Sequence, residues 1–331
     1  IVVVAPGIGP TLSGLILQYL NWPWLFFLVL PFAFLAIILG MITLKNVTTL
    51  TRPKIDFLSV VLSSIGFGGL IFGIISIQSK GFLNTAVLVS LLCGFISLAL
   101  FSKRQLVLKQ PLLELRVLGY PQFTLGAMMI FITFMLPFAV NIILPTFMQS
   151  VLGIIPMVAG LAMLPGSLIN GFVAPLSGRL YDKFGVRPPA VFGFIALTIS
   201  MFFLSRISSA TILLLLIALQ SCMLIGVGLI YTPIQAHSLS QLPREYNPHG
   251  VAVISTLQQV SAAFGSSLFI GLMGTVQEKQ LATIKNPDFY QQQAAITSGV
   301  NIAFTAALIM VIIGLLLSLF LKRREKEPTT L

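Results

Sequence analysis

The chain has 331 residues, of which 57% are hydrophobic and only 8% are charged, and its mean hydropathy is +1.03. A soluble domain carries about 25% charged residues, so this composition excludes a soluble enzyme, a secreted disulfide scaffold and a disordered interaction chain. Because apolar runs recur from end to end, the sequence predicts an all-α polytopic membrane protein. Its net charge of +11 is then typical of cytoplasmic loops and not of a surface that binds nucleic acid.

Apolar runs long enough to cross a bilayer, which takes about 20 residues in a helix, follow one another along the chain. Ten spans are predicted. The first is expected to be a remnant, because the sequence opens on an apolar run with no Met and no basic region before it, unlike a signal peptide. The spans lie at 1–20, 24–44, 57–77, 85–101, 123–145, 157–178, 189–205, 211–233, 251–275 and 298–321.

Basic residues predict the orientation of these spans. If the loop at 45–56 is cytoplasmic, 15 of the 19 Lys and Arg residues lie on the cytoplasmic side, as the positive-inside rule requires. The exceptions are Lys80, Arg206, Lys279 and Lys285. The tail at 322–331 is then cytoplasmic. Residues 102–122, also on this side, alternate Leu and Val with charge, which fits either an amphipathic segment along the membrane surface or a plain connecting loop.

Polar residues inside the spans are uncharged, since Asp56 and Asp182 fall at span ends. Intramembrane charge usually marks an ion path, so either the protein does not couple to ions or the coupling acid lies elsewhere. The polar set comprises Asn141, Asn170, Gln220, Gln258, Gln259 and Asn301. Gln258 shares one helical face with Ala262, Gly265 and Phe269, which suits either a cavity wall or helix packing.

Motifs for other chemistry are absent from the sequence. Cys93 and Cys222 each lie in an apolar run and are predicted to be small buried hydrophobes, and no metal-ligand spacing or P-loop occurs, so no metal or cofactor is expected. A membrane-embedded enzyme would need a catalytic set at one depth. The nearest set is His237 and His249, which flank Arg244 and Glu245, and both histidines are predicted to be solvated loop residues or helix caps.

The stretch APGIGPTLSG at 5–14 contains a proline, which bends a helix, between glycines, which let another helix approach closely. Its residues Gly9, Pro10, Ser13 and Gly14 resemble the antiporter signature of the major facilitator superfamily, which ends in G-P-x-x-G-G. Ser13 replaces the first of the paired glycines, and Ala5 stands where an earlier glycine is usual.

The stretch GRLYDKFGVRPP at 178–189 resembles the signature cytoplasmic loop of the same superfamily, G-x-x-x-D-x-x-G-x-R. Gly185 suits a tight turn, and Asp182 suits pairing with an Arg or facing the N-terminus of the next helix. The resemblance implies a conformational latch that holds the cytoplasmic side closed. We call its residues the latch: Gly178, Arg179, Asp182, Lys183, Gly185 and Arg187.

Residues 144–188, together with 110–123 and 247–265, resemble the second half of the fourteen-helix drug:proton antiporters of that superfamily. The resemblance implies a partial major facilitator fold of about ten transmembrane helices, with the first four helices of the family missing. In that interpretation the parts are the last two helices of the N-terminal bundle (1–44), a cytoplasmic loop (45–56), an inserted helix pair (57–101), a cytoplasmic amphipathic loop (102–122), a C-terminal six-helix bundle (123–321) and a cytoplasmic tail (322–331).

The resemblance implies a transporter in the plasma membrane that exports small amphipathic organic molecules, such as drugs, in exchange for protons by alternating access. Its partners would be the substrate, protons and the lipid bilayer, with no nucleic acid. Gln258 and Gln259 stand where some relatives carry acids, which argues against proton coupling through this half. A narrow-specificity metabolite exporter or importer on the same fold is the alternative. The candidates for the substrate path are Asn141, Gln149, Asn170, Gln220, Gln258, Gln259 and Phe269.

Overall fold

The computed structural model describes residues 20–43, 56–80, 84–108, 111–282, 284 and 286–321, together with the single positions 9, 12, 13 and 16. Every regular element in these ranges is helical, and nine helices are long and apolar enough to cross a membrane. They are α1 (Pro23–Thr43), α2 (Phe57–Lys80), α3 (Thr85–Val107), α4 (Pro121–Ser150), α5 (Pro156–Phe184), α6 (Arg187–Leu204), α7 (Leu213–Ser240), α8 (Asn247–Ala282) and α9 (Phe289–Ser318). The all-α membrane fold is confirmed.

These helices match the second to tenth predicted spans in order, whereas most of the first predicted span lies outside the described residues. Several helices run well past the apolar windows. α4 has 30 residues, which at about 1.5 Å per residue gives about 45 Å, more than the hydrocarbon core of a bilayer. The ends of such a helix reach the interface, where polar residues are satisfied by water and headgroups.

Helices α4 to α9 form one bundle. α7 packs against α5, α6 and α4, while α8 packs against α4 and α9, and α9 also contacts α6. Close approach of α8 and α4 depends on Gly265, where an added Cβ would lie 2.6 Å from the Cα of Met135. Without a hydrophobic driving force between helices in lipid, such close van der Waals contact between backbones is what holds a bundle together.

Helices α2 and α3 form a separate hairpin, and α2 packs against α8. Its helices meet at Gly69 and Gly94, where an added Cβ on Gly69 would lie 3.1 Å from the Cα of Gly94. Ser97 adds a hydrogen bond across the hairpin, donating to the carbonyl of Leu62 at 2.8 Å. By contrast, α1 contains no buried residue.

A polar network fastens one end of the hairpin. Arg104 donates to both carboxylate oxygens of Asp56, at 2.6 and 2.8 Å, and Ser59 donates a further hydrogen bond to this carboxylate. These hydrogen bonds, Arg104 first, hold the pKa of Asp56 well below its ordinary value. Gln105, fully buried, donates to Ser59 at 2.6 Å and accepts from the backbone N–H of Leu113 at 3.1 Å.

Through Gln105, the hairpin holds the segment that leads into α4. This segment includes a short 3-10 turn, Leu115–Gly119, whose Val117 is buried in the core of the bundle. Leu112 and Leu118 on the same segment stay exposed. The sequence analysis placed this region between two spans, either as an amphipathic segment or as a plain loop. In the structure its 3-10 turn packs against α3, α4 and α8.

The placement of His237 corrects a sequence-based expectation. His237 was expected to be a solvated loop residue or a helix cap, but it is 1% exposed inside α7. The reason is that α7 continues to Ser240 and does not end near residue 233. Both His237 and Ser238 are therefore buried residues of this helix, and Ser238 faces Gly126. His249 lies in the first turn of α8, with its ring 6.4 Å from that of Tyr246.

Candidate functional site

A cavity of about 310 Å³ lies between α4, α5, α7 and α8. Its lining residues fall near the middle of α4, α5 and α7 and in the first half of α8. The cavity is therefore far from both ends of the bundle. Phe138, 41% exposed, and Gln259 lie at its open rim.

The walls of the cavity are mainly apolar and aromatic. Phe134 and Tyr231 meet edge to face with ring centroids 5.0 Å apart, which joins α4 to α7 across the cavity. Pro137 also lines it and, having no N–H, leaves the carbonyl one turn earlier without its helical partner. Apolar walls with a few polar groups are typical of sites for small organic molecules.

The polar groups of the cavity are uncharged. Asn170 is 3% exposed, and its Oδ1 accepts no hydrogen bond from the residues that the structure describes. Gln258 likewise has a buried Nε2 that donates none within that part of the chain. Asn141, Thr232 and Gln259 add further amide and hydroxyl groups. Among the described residues that line the cavity there is no Asp, Glu, Lys, Arg or His.

Four of the substrate-path candidates meet here: Asn141, Asn170, Gln258 and Gln259. The other three lie elsewhere. Gln220 is buried beside Gly166 and donates to the carbonyl of Met163 at 3.4 Å. Phe269 is buried against α4 and α9, and Gln149 is exposed at the end of α4.

The polar, small and aromatic stripe on α8 therefore has two parts. Gln258 faces the cavity, whereas Ala262, Gly265 and Phe269 are buried in helix contacts. Helix packing accounts for three of its four members, and cavity lining for the first. The change falls within one turn of α8, where this helix leaves the cavity and meets α4.

The latch comprises residues in the last turns of α5, Gly185 in the turn that follows and the first residue of α6. Gly185 has a φ of 86°, which an L-residue with a Cβ adopts only under strain, and its N–H donates to the carbonyl of Tyr181 at 2.8 Å. The tight turn predicted for Gly185 is confirmed. Lys183 lies over the ring of Phe184, 5.2 Å from its centroid, while Asp182 is exposed and forms no ion pair with any described residue.

Gly178 and the two arginines complete the latch. Gly178 has open space around it, since an added Cβ would meet only Thr232, at 4.0 Å. Arg179 is exposed in the last turns of α5, and Arg187 is exposed as the first residue of α6. In the antiporter motif, Gly9 and Ser13 are helical, while Pro10 and Gly14 lie outside the described residues.

Sequence reasoning missed several cavity residues, notably Phe134, Tyr231, Thr232 and Gly228. The hydroxyl groups of Tyr231 and Thr232, placed together within an apolar run, were a readable signal, because a polar group in a span needs a partner or a wet cavity. Phe134 and Gly228 carried no such signal, since an aromatic residue and a glycine are equally common in helix contacts.

Comparison with known proteins identifies relatives of the chain. Residues 1–266 match the Major Facilitator Superfamily. The chain is 42% identical over 325 residues to the lincomycin resistance protein LmrB of Listeria monocytogenes, covering 98% of this chain and 69% of that protein. LmrB of Bacillus subtilis is also 42% identical, over 326 residues, with 98% and 68% covered. The transporter YcnB of Bacillus subtilis, described only as an MFS-type transporter, is 37% identical over 322 residues, with 97% and 67% covered.

Proposed function

The chain belongs to the major facilitator superfamily, and from this premise we propose that it exports small amphipathic organic molecules, antibiotics among them, in exchange for protons. As a member of this family it is a multi-pass membrane transporter and not a membrane-embedded enzyme. Drug export is supported by the two relatives named for lincomycin resistance. The finer assignment to the fourteen-helix drug:proton antiporters, with α2 and α3 as the inserted pair and α4 to α9 as the C-terminal bundle, is part of the proposal.

The observation that carries the proposal is the cavity. Its volume of about 310 Å³, its aromatic walls and its uncharged polar groups suit a small amphipathic molecule. It lies near the middle of helices α4, α5 and α7, which is the depth at which alternating access has a site, between two bundles near the midplane of the membrane. We propose that substrate contacts Asn141, Asn170, Gln258 and Gln259 there. Gln149, Gln220 and Phe269 would act at most outside this contact surface.

We propose that the latch and the antiporter motif govern the conformational cycle. The exposed basic residues of the latch, with Asp182, are free to engage a second bundle when the cytoplasmic side closes.

Orientation in the membrane is proposed from the distribution of charge. We propose that the ends of α3, α5 and α7 and the C-terminus lie in the cytoplasm of a cell whose plasma membrane holds the protein. The support is that these ends and the described turns after them carry seven of the ten described Lys and Arg residues. Proton coupling rests on family resemblance, since no carboxylate lines the described cavity.

Lincomycin accumulation tests the proposal in cells that express the native gene and lack other drug exporters. Cells with the wild-type protein should accumulate less lincomycin than cells without it, and an uncoupler should abolish the difference. Efflux that persists without a proton gradient would contradict proton antiport. If lincomycin and other antibiotics are not exported while a single metabolite is, the narrow-specificity alternative holds.

Asp182→Asn tests the latch in the same cells. The change removes the only carboxylate of the latch, so efflux should fall several-fold at equal membrane expression. Glu245→Gln is the matched control, because it removes an exposed carboxylate from the turn between α7 and α8 on the same side of the bundle. Wild-type efflux from Asp182→Asn, or an equal loss in both variants, would overturn the role of the latch.

A further inference from the structure

We propose that the cavity selects uncharged molecules that present a hydrogen-bond donor and an acceptor together, such as an amide, over organic cations that present neither. This inference rests on the proposed function, because it concerns the same cavity. It adds the chemical class of the group that is recognised. Two observations carry it: the buried amide atoms that lack partners, and the absence of charge among the described lining residues.

The first observation is the pair of unsatisfied amide atoms. Asn170 and Gln258 both line the cavity. Oδ1 of Asn170, an acceptor, and Nε2 of Gln258, a donor, are buried and have no hydrogen-bond partner among the described residues. Gly228 leaves room for the first, since an added Cβ would lie 3.1 Å from Oδ1 of Asn170. A buried polar atom without a partner is costly, so a ligand that supplies both missing partners gains more than one that supplies neither.

The cost is asymmetric, and this asymmetry produces selectivity. A site built to hydrogen-bond a polar group strongly rejects a ligand that lacks the group, because the polar atoms of the site are then desolvated and left unpaired. An apolar cavity without such atoms discriminates only weakly. Asn170 and Gln258 come from α5 and α8, so a substrate that bridges them also ties these two helices together.

The second observation is the lack of charge. A cation that enters the cavity loses water and meets no carboxylate among the described lining residues. Phe134 and Tyr231 provide aromatic rings, but their edge-to-face contact commits part of their surface to each other. A cation–π contact recovers only a small part of the desolvation cost. The cavity therefore favours uncharged ligands.

Equilibrium binding to the purified protein in lipid nanodiscs tests this, with two probes of contrasting chemistry. Chloramphenicol is uncharged and carries an amide and two hydroxyls, whereas tetraphenylphosphonium is a permanent cation without hydrogen-bonding groups. The wild type should bind chloramphenicol more tightly. Gln258→Leu and Asn170→Leu should each weaken chloramphenicol binding about fivefold, as loss of one hydrogen bond predicts, and leave tetraphenylphosphonium unchanged.

Two further variants guard against misfolding. Gln220→Leu removes a buried glutamine outside the cavity and should leave the binding of both probes unchanged. Gln258→Glu preserves size and replaces the donor with a carboxylate. It should weaken chloramphenicol binding and strengthen tetraphenylphosphonium binding, a gain that a misfolded protein would not show. Each variant is first compared with the wild type by elution profile and thermal midpoint.

The outcomes separate this inference from the proposed function. Equal or tighter binding of tetraphenylphosphonium by the wild type, or equal loss of both probes in the Leu variants, would overturn the selectivity while keeping the cavity as the site. Ala174→Phe fills the cavity from α5. If neither probe responds to this variant, the cavity is not the site and the proposed function fails as well. Absence of chloramphenicol binding up to about 1 mM would also contradict the proposed chemistry.

Discussion

Replacing Gln105 by Leu should loosen the segment between the hairpin and α4. Gln105 is fully buried, and its amide makes two hydrogen bonds: it donates to Ser59 on α2 at 2.6 Å and accepts from the backbone N–H of Leu113 at 3.1 Å. Leu fills a similar volume but makes neither bond. The change therefore removes polar contacts and leaves the apolar packing nearly intact.

The size of the effect follows from which bond each process breaks. Opening of the segment separates Leu113 from Gln105, while the bond from Gln105 to Ser59 stays within the hairpin. One part-buried hydrogen bond contributes about 1 kcal/mol, so the opening equilibrium should increase about fivefold. Global unfolding breaks both bonds, and stability should fall by about 2 kcal/mol.

Amide hydrogen exchange measures the local opening, and the thermal midpoint in detergent measures the global effect. Exchange of Leu113 should become at least about fivefold faster in Gln105→Leu, because its N–H also loses its acceptor. Ser97→Ala is the matched control, because it removes a hydrogen bond inside the hairpin, to the carbonyl of Leu62, and does not touch the segment. Unchanged exchange at Leu113, or the same acceleration in Ser97→Ala, would refute the reasoning.

Three further substitutions test other parts of the fold. Gly265→Ala should lower the thermal midpoint, by an amount corresponding to about 1–3 kcal/mol, since its Cβ would lie 2.6 Å from the backbone of α4; Gly68→Ala, with nothing within 4 Å, should be neutral or slightly stabilising. Gly185→Ala should cost about 1–3 kcal/mol through its φ of 86°, measured against Gly119→Ala, whose φ is negative. Asp56→Asn should lower the thermal midpoint at neutral pH. Because the pKa of Asp56 is lowered in the folded state, the difference should stay constant from about pH 8 to 5. It should shrink only below about pH 4, where Asp56 of the unfolded chain becomes protonated while the folded-state carboxylate stays ionised.

The number and order of the spans could be predicted because hydropathy is a local property that the bilayer enforces on every helix. Helix ends were predicted less well, since caps decide them. The last span was placed at 298–321, but α9 begins at Phe289, where Asp288 and Gln291 form a capping box with hydrogen bonds of 2.7 and 3.0 Å. The D-x-x-Q pattern at 288–291 was a readable signal that an apolar window ignores. His237 was misplaced because the apolar window also gave the wrong end for α7, which continues past its apolar run to Ser240.

The candidate site was predictable only as far as residue type allows. Gln220 and Gln258 are both amides in apolar spans, so nothing local to either separates a packing role from a cavity role. What separates them is the opposite helix. Gly166 on α5 leaves space for the side chain of Gln220, which then reaches the carbonyl of Met163 and is enclosed by protein. At Gln258 the facing residues leave a cavity instead. A polar residue in a membrane span therefore indicates that a partner or a wet cavity exists, and the small residues on neighbouring helices decide which of the two it is.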